Sequence, residues 1–322
     1  MARTHPPLDP ELAAVLTVVH EHLSPTITAE DIEELRANPI FAVPDELLTR
    51  NGTLQPQNLS VPGPAGAPEV SLLVLKPVGL APGAPILYYM HGGGMIIGNN
   101  RTVGGGVLDW AVDIGAIVVS VEYRLAPEHP DPAPIEDCYA GLLGTHRLAT
   151  EIGGDPNRIV VTGASAGGGL AAGVALLARD RGGPELLGQL IMCPMLDDRF
   201  LTPSSQELDG EGLWDTTSNM TGWNALLGDR RGGSDVSIYT APARATDLAG
   251  LPSSFIDVGS VETFRDEDID YAARLLQAGV QTELHVWPGG FHGFDGIAPQ
   301  AALSQTASAT RSAWVRRLLA AG

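Results

Sequence analysis

The spacing of apolar positions changes character along the chain. In "ELAAVLTVVHEHL", Leu12, Val15, Leu16, Val19 and Leu23 recur three and four residues apart, which predicts an amphipathic helix. A second short helix follows, with Thr28 of "TAED" as N-cap, Asp31 three residues later, and a stop before Pro39. Residues 1–50 are thus expected to be helical. The Pro- and Gly-rich "VPGPAGAPEV" joins two strand candidates, one around Leu59 and one along "VSLLVLKP", in a hairpin-like arrangement. Beyond it the runs "PILYYM", "AIVVSVEY", "RIVVTG", "GQLIMC" and "SSFIDVG" alternate with helical stretches. Strands this continuously apolar are buried on both faces, so the pattern predicts a mainly parallel sheet flanked by helices.

From Phe200 to Gly228 the alternation lapses into a polar loop and a Trp-bearing helix, an insertion between strands. With the N-terminal helices it is expected to cover the carboxyl ends of the strands, where open α/β sheets place ligand sites. "TELHVWPG" predicts a late strand and "SQTASATRSAWVRRLLA" a closing helix. A last strand at the sheet edge has unpaired backbone groups, through which two copies could pair symmetrically as a homodimer.

Composition narrows the chemistry. With 322 residues and 44% hydrophobic content, the chain can build one large α/β domain plus a smaller accessory region. A formal charge of -19 argues against nucleic acid and anionic membrane surfaces as partners, since both would repel it. No apolar run approaches transmembrane length. Asp9 and Glu11 precede the first apolar stretch and no small-residue cleavage pattern follows it, which argues against a signal peptide. Lys76 is the only lysine, leaving Schiff-base and Ser-x-x-Lys catalysis little to work with. Cys138 and Cys193 sit in apolar runs without a partner at metal or redox spacing, and are expected to be buried thiols without a chemical role in a reducing, cytoplasmic compartment.

"RIVVTGASAGGGLAAG" runs from strand into helix across Gly163, Ala164, Ser165, Ala166 and Gly167. A Gly-x-Ser-x-Gly turn strains the serine backbone and lifts its hydroxyl out of the turn, and tiny neighbours two residues away let strand and helix approach. The same stretch mimics a Gly-x-Gly-x-x-Ala dinucleotide fingerprint, but no acidic residue stands some twenty residues on at a strand end, as a simple Rossmann arrangement would need. "YYMHGGGMIIG" places His91 and three glycines after a strand, where backbone N–H groups can converge as an oxyanion hole with that of Ala166. His91 leads into the turn and is expected to anchor the loop.

For a general base, His292 in "WPGGFHGF" lies in a Gly-flanked loop after the late strand. His285 lies within that strand as half-buried structure, and His129, between Pro127 and Pro130, is expected to brace a loop. His5, His20, His22 and His146 lack catalytic spacing. A histidine base needs an acid at a strand end, between nucleophile and base in chain order. "GSVETFRDEDID" offers five carboxylates there. Thr263 and Asp266 form a plausible capping box, and Glu267, Asp268 and Asp270 fit a solvated first helical turn, with Ile269, Ala272, Ala273 and Leu276 on the buried face. Glu262 alone falls before the cap and has no competing local task.

Six segments in order, "HGGGM", "YRLAPEHPDPAPIEDC", "GASAGGG", "PMLDDR", "GSVETFRDE" and "PGGFHGF", resemble the bacterial hormone-sensitive-lipase-like esterases, also called family IV carboxylesterases. The resemblance covers nearly the whole chain. It implies an α/β-hydrolase fold with a helical cap: cap helices in residues 1–50, core in 51–199 and 231–322, and a cap insertion in 200–230. It also implies hydrolysis of short acyl esters without a cofactor or metal. By this likeness Ser165 is the nucleophile, His292 the general base and acid, and Gly93, Gly94 and Ala166 the oxyanion donors. Relatives often dimerise. An amide or formamide hydrolase on the same residues, or a hydrolase-fold binding protein, are the alternatives. Two departures stand out. Ala164 replaces the Asp that many relatives carry before the nucleophile. Alignment on "RDE" puts Glu262 where the family has its catalytic Asp, an acid longer by about 1.5 Å, with Asp266 as the other candidate.

Overall fold

The computed structural model describes residues 5–38, 43–104 and 106–321. Helix α1 (Pro10–Val19) starts where proline is tolerated and where the Asp9 carboxylate accepts the N–H groups of Glu11 and Leu12. Leu12 and Leu16 of the expected stripe are buried against Trp287, Phe291 and Phe294. The Thr28 amide donates to Asp31 at 2.7 Å, opening a 3-10 turn that runs into α2 (Ile32–Ala37). The predicted stop at Pro39 falls outside the described residues. A one-turn α3 (Asp45–Leu48) precedes the sheet.

The strands are β1 (Leu54–Val61), β2 (Val70–Pro77), β3 (Ala84–Met90), β4 (Ile117–Glu122), β5 (Gly154–Ala164), β6 (Gly188–Met192), β7 (Ser253–Val261) and β8 (Thr282–Phe291). Between and after them lie α4 (Val107–Ile114), α5 (Ala133–Leu148), α6 (Ala166–Asp180), α7 (Thr216–Leu227), α8 (Arg265–Gln277), α9 (Phe294–Ile297) and α10 (Ala302–Ala321). They form one eight-stranded sheet in the order β1-β2-β4-β3-β5-β6-β7-β8. β1 and β2 pair as the expected antiparallel hairpin, with Val61 opposite Val70, and β2 is antiparallel to β4. Every pairing from β4 through to β8 is parallel. Each residue of β3 is buried. Ile86, Tyr88 and Met90 pack with Leu142 of α5 and Leu170 of α6, whereas Leu87 and Tyr89 pack with Trp110 of α4 and Trp314 of α10.

This order fixes where a site can form. From β3 the chain passes to β4 on one side and then crosses to β5 on the other, so the carboxyl ends of β3 and β5 flank a crevice at a topological switch point. "HGGGM" leaves β3 and Ser165 leaves β5 at that crevice. β8 is an edge strand, and its Val286 is exposed. Between β6 and β7 the insertion carries α7, N-capped by Asp215, with Trp223 fully buried. Hydrogen bonds join it to the N-terminal segment: Thr26 Oγ1 donates to Asp215 at 2.6 Å and the Ile27 amide to Ser218 Oγ at 2.9 Å. Among the described residues, no helix is long and apolar enough to cross a membrane.

Helix α8 corrects the sequence reading. It begins at Arg265 rather than at a Thr263 cap, and Thr263 Oγ1 donates to the Trp214 carbonyl at 2.7 Å. Its buried face comprises Glu267, Asp268, Tyr271, Ala272 and Leu275, while the expected Ile269 and Leu276 are exposed. Apolar spacing misplaced this face because two carboxyls occupy core positions. Glu267 is accommodated by accepting the amides of Leu196 and Asp197 at 2.8 and 3.1 Å. Asp266 serves no capping box. Its carboxylate accepts the Ser204 amide at 2.9 Å and pairs with Arg265.

Candidate active site

Ser165 stands directly between β5 and α6 with φ 59° and ψ -126°, a backbone conformation costly for any residue with a Cβ. Neighbouring strands hold it there. Its amide donates to the Met192 carbonyl at 2.9 Å, and its carbonyl accepts the Met195 amide at 3.0 Å. A Cβ on Gly167 would lie 2.0 Å from the Met90 carbonyl oxygen, so only glycine lets α6 approach β3 this closely. Ala166, the first residue of α6, has an N–H with no intrahelical acceptor.

The loop after β3 passes against this elbow: a Cβ on Gly92 would sit 3.3 Å from that of Ser165. Fully buried His91 anchors the loop as expected. Its Nδ1 lies 2.8 Å from the Gly92 oxygen and its ring stacks on Tyr123, whose hydroxyl donates to the His91 carbonyl at 2.7 Å. Burial pushes the imidazole down to about 4, so it is neutral at physiological pH and its other partners are dipoles rather than charges.

Glu262 follows the last residue of β7 and His292 the last of β8, just as Ser165 follows the last of β5. Three parallel strands thus deliver three side chains to one end of the sheet. His292 Nε2 lies 3.0 Å from Ser165 Oγ, and His292 Nδ1 lies 2.8 Å from Glu262 Oε2. An ionised carboxylate only accepts, so this partner assigns the imidazole proton to Nδ1 and leaves the Nε2 lone pair facing the serine hydroxyl. All three side chains are buried. Burial draws the His292 pKa down, but the Glu262 carboxylate, with Cys193 adding to its effect, outweighs it and holds the imidazole well above the usual histidine range. Phe264 packs edge-on against the ring at 5.4 Å, and the Phe264 amide donates to Glu262 Oε1 at 3.3 Å.

The other candidates fall elsewhere. Asp266 is committed to Ser204 and Arg265, and exposed Asp270 pairs with Arg274 one turn along α8. Glu267 and Asp268 are buried rather than solvated, and neither Asp268 oxygen finds a partner. Burial holds both carboxyls well above their ordinary range. His285 stacks between Phe255 and Trp287, half-buried as expected, whereas the His129 side chain is exposed and its amide ties the loop by donating to the Leu125 carbonyl at 2.9 Å. Cys138 is fully buried. Cys193 overturns the apolar reading: it lies half-buried beside His292 and Glu262. It is the first residue after β6, so the strand-end rule that selects Ser165, Glu262 and His292 would have found it.

A cavity of about 340 Å³ opens onto Ser165 and His292. The N-terminal segment lines it with Leu23, Ile27 and Leu35, and the insertion with Leu213 and Trp214.

Comparison with known proteins agrees with this architecture. A family model described as alpha/beta hydrolase fold matches residues 87–296. The chain is 37% identical over 297 residues to the carboxylesterase NlhH of Mycobacterium tuberculosis, covering 90% of each chain. It is 35% identical over 307 residues to the esterase LipI of the same organism, covering 92% of this chain and 91% of that one. Among solved structures it superposes on a bacterial heroin esterase with a TM-score of 0.89 at 42% identity, over 97% of this chain and 98% of the other. The esterase LipW of Mycobacterium marinum matches with a TM-score of 0.86 at 36% identity, over 98% of both chains. With the family model spanning most of the chain and close relatives aligned nearly end to end, the chain belongs to the α/β-hydrolase-fold family, in its hormone-sensitive-lipase-like branch of carboxylesterases.

Proposed function

We propose that this chain is a serine carboxylesterase that hydrolyses short-chain acyl esters through an acyl-enzyme. The observation that carries the reading is the continuous hydrogen-bonded line from Ser165 through His292 to Glu262, whose first two members line a cavity. His292 Nε2 takes the Ser165 proton as Oγ attacks the ester carbonyl, and Glu262 holds the imidazole tautomer and stabilises its cation. The amides of Gly93, Gly94 and Ala166 receive the developing oxyanion. The protonated imidazole then gives its proton to the leaving alcohol. Water, activated by the same histidine, frees the acid. Names of relatives, carboxylesterase and esterase, support ester chemistry. A cavity of about 340 Å³ is near the lower end for ligand sites, which supports a small acyl group.

Residues 1–50 and 200–230 act as the cap in this reading, supported by their shared cavity wall and the hydrogen bonds between them. The two unpaired thiols suit a cytoplasmic location. The exposed β8 edge suits a symmetric homodimer, an idea that light scattering of a strictly monomeric chain would end. A stopped-flow burst of alcohol from an activated butyryl ester, with slower turnover of its long-chain counterpart, is expected. Equal cleavage of the matching amide would favour an amidase, and no turnover of either a binding protein.

A further inference from the structure

A third donor stands beside two members of the Ser165–His292–Glu262 line. Cys193 leaves β6 with φ 36°, and its amide donates to the Asp257 carbonyl at 2.6 Å, which pins it against β7. One donor atom each from Cys193, Glu262 and His292 lies within 4.8 Å of the others, the only such trio of possible metal ligands among the described residues. Carboxyl groups crowd this region: Asp257, Glu267 and Asp268 are all buried nearby. The buried Arg311 is already paired with Asp257 and Asp295.

We propose that Cys193, Glu262 and His292 form an inhibitory site for one thiophilic divalent cation of the zinc class. The inference rests on the proposed role of His292 as base. Thiolate, imidazole and carboxylate are the ligand set of zinc and its softer congeners, not of the oxygen-seeking magnesium or calcium. Tetrahedral bonds of about 2.0 to 2.3 Å set ligand atoms roughly 3.5 Å apart, so the trio needs side-chain shifts of about 1 Å. The fourth position is left for water. On binding, the Cys193 thiol releases its proton to solvent and sulfur takes the metal. If the cation takes His292 Nδ1, the imidazole proton moves to Nε2, which can no longer accept from Ser165. If it takes Nε2, the lone pair itself is occupied. Either way the base is lost. Cys138, fully buried elsewhere, has no such neighbours in the trio.

Two readouts test the site. Cadmium is titrated into the full-length Ser165→Ala chain while thiolate-to-metal charge-transfer absorbance is followed in the ultraviolet. The expected band saturates at one cadmium per chain and disappears when Cys193→Ser is added, with near-ultraviolet circular dichroism showing that the fold persists. If Cys193→Ser does not fold, Cys193→Ala replaces it. No band, or a band that survives loss of Cys193, overturns the proposal. In the second readout, zinc inhibits ester hydrolysis by the wild-type chain while magnesium does not. Cys193→Ser raises the half-inhibitory zinc concentration at least tenfold, each variant being scored against its own metal-free rate. Equal zinc sensitivity overturns the inhibitory role. A cadmium band on a chain that hydrolyses no ester would sink the esterase reading and leave the metal site standing.

Discussion

Glu262 Oε2 lies 2.8 Å from His292 Nδ1, at the ends of two adjacent parallel strands. The carboxylate therefore sets both the tautomer and the basicity of the imidazole, and the two effects have separate consequences.

Basicity appears in the pH profile. The base acts in its neutral form, and the neighbouring carboxylate stabilises the cation, so the acid limb of kcat/KM is expected at a pKa above the ordinary 6.5. Glu262→Gln removes that stabilisation and should move the limb to lower pH. A limb that stays in place in the variant would show that Glu262 does not tune the base.

Tautomer control appears in turnover. Loss of an orienting carboxylate can cost about 10⁴-fold, so Glu262→Gln should approach that loss with the fold intact. Asp266→Ala instead removes acceptors for Ser204 and Arg265. It should cost about 1 to 2 kcal/mol in thermal or denaturant unfolding and leave the rate per folded molecule much less affected. The reverse ranking would move the triad acid into the helix.

Asp268 gives a stability test with a definite sign. Its pKa is raised in the folded chain, so above the ordinary 3.8 the folded state binds more protons than the unfolded state, and stability falls as pH rises toward the folded value. Asp268→Asn deletes that dependence, and its stability relative to wild type should grow by about 1.4 kcal/mol per pH unit within the window. Urea unfolding across that window decides. Parallel curves for the two proteins would mean that Asp268 is ionised when folded.

Leu35 forms part of the cavity wall facing Ser165. Leu35→Ala should admit a longer acyl group and raise the hexanoyl-to-butyryl rate ratio by about tenfold. An unchanged chain-length series would place the acyl group elsewhere in the cavity.

Much of this architecture could be read from residue order. Long apolar runs such as "AIVVSVEY" become β4 and its neighbours because both sheet faces are covered, and the Gly-x-Ser-x-Gly turn becomes the elbow because only glycine tolerates the contact at Gly167. Position after a late strand singles out Glu262 and His292 as candidates, and the structure sets their side chains 2.8 Å apart. Residue order misleads where burial and polarity part company. Asp268 and Glu267 lie on the buried face of α8, which a search for apolar periodicity assigns to water. The sequence neighbours of Cys193 are apolar and suggest an inert thiol, but its neighbours in space come from the ends of β7 and β8. Only the strand order reveals them.

In the proposed mechanism Ser165 carries the acyl group. Wild-type chain mixed with an activated butyryl ester and quenched in acid within the first turnover should carry one butyryl group. Peptide mass spectrometry should place it on the peptide containing Ser165, and Ser165→Ala should show neither the adduct nor significant turnover. Turnover that survives Ser165→Ala, or an acyl group on any other residue, would contradict the assignment.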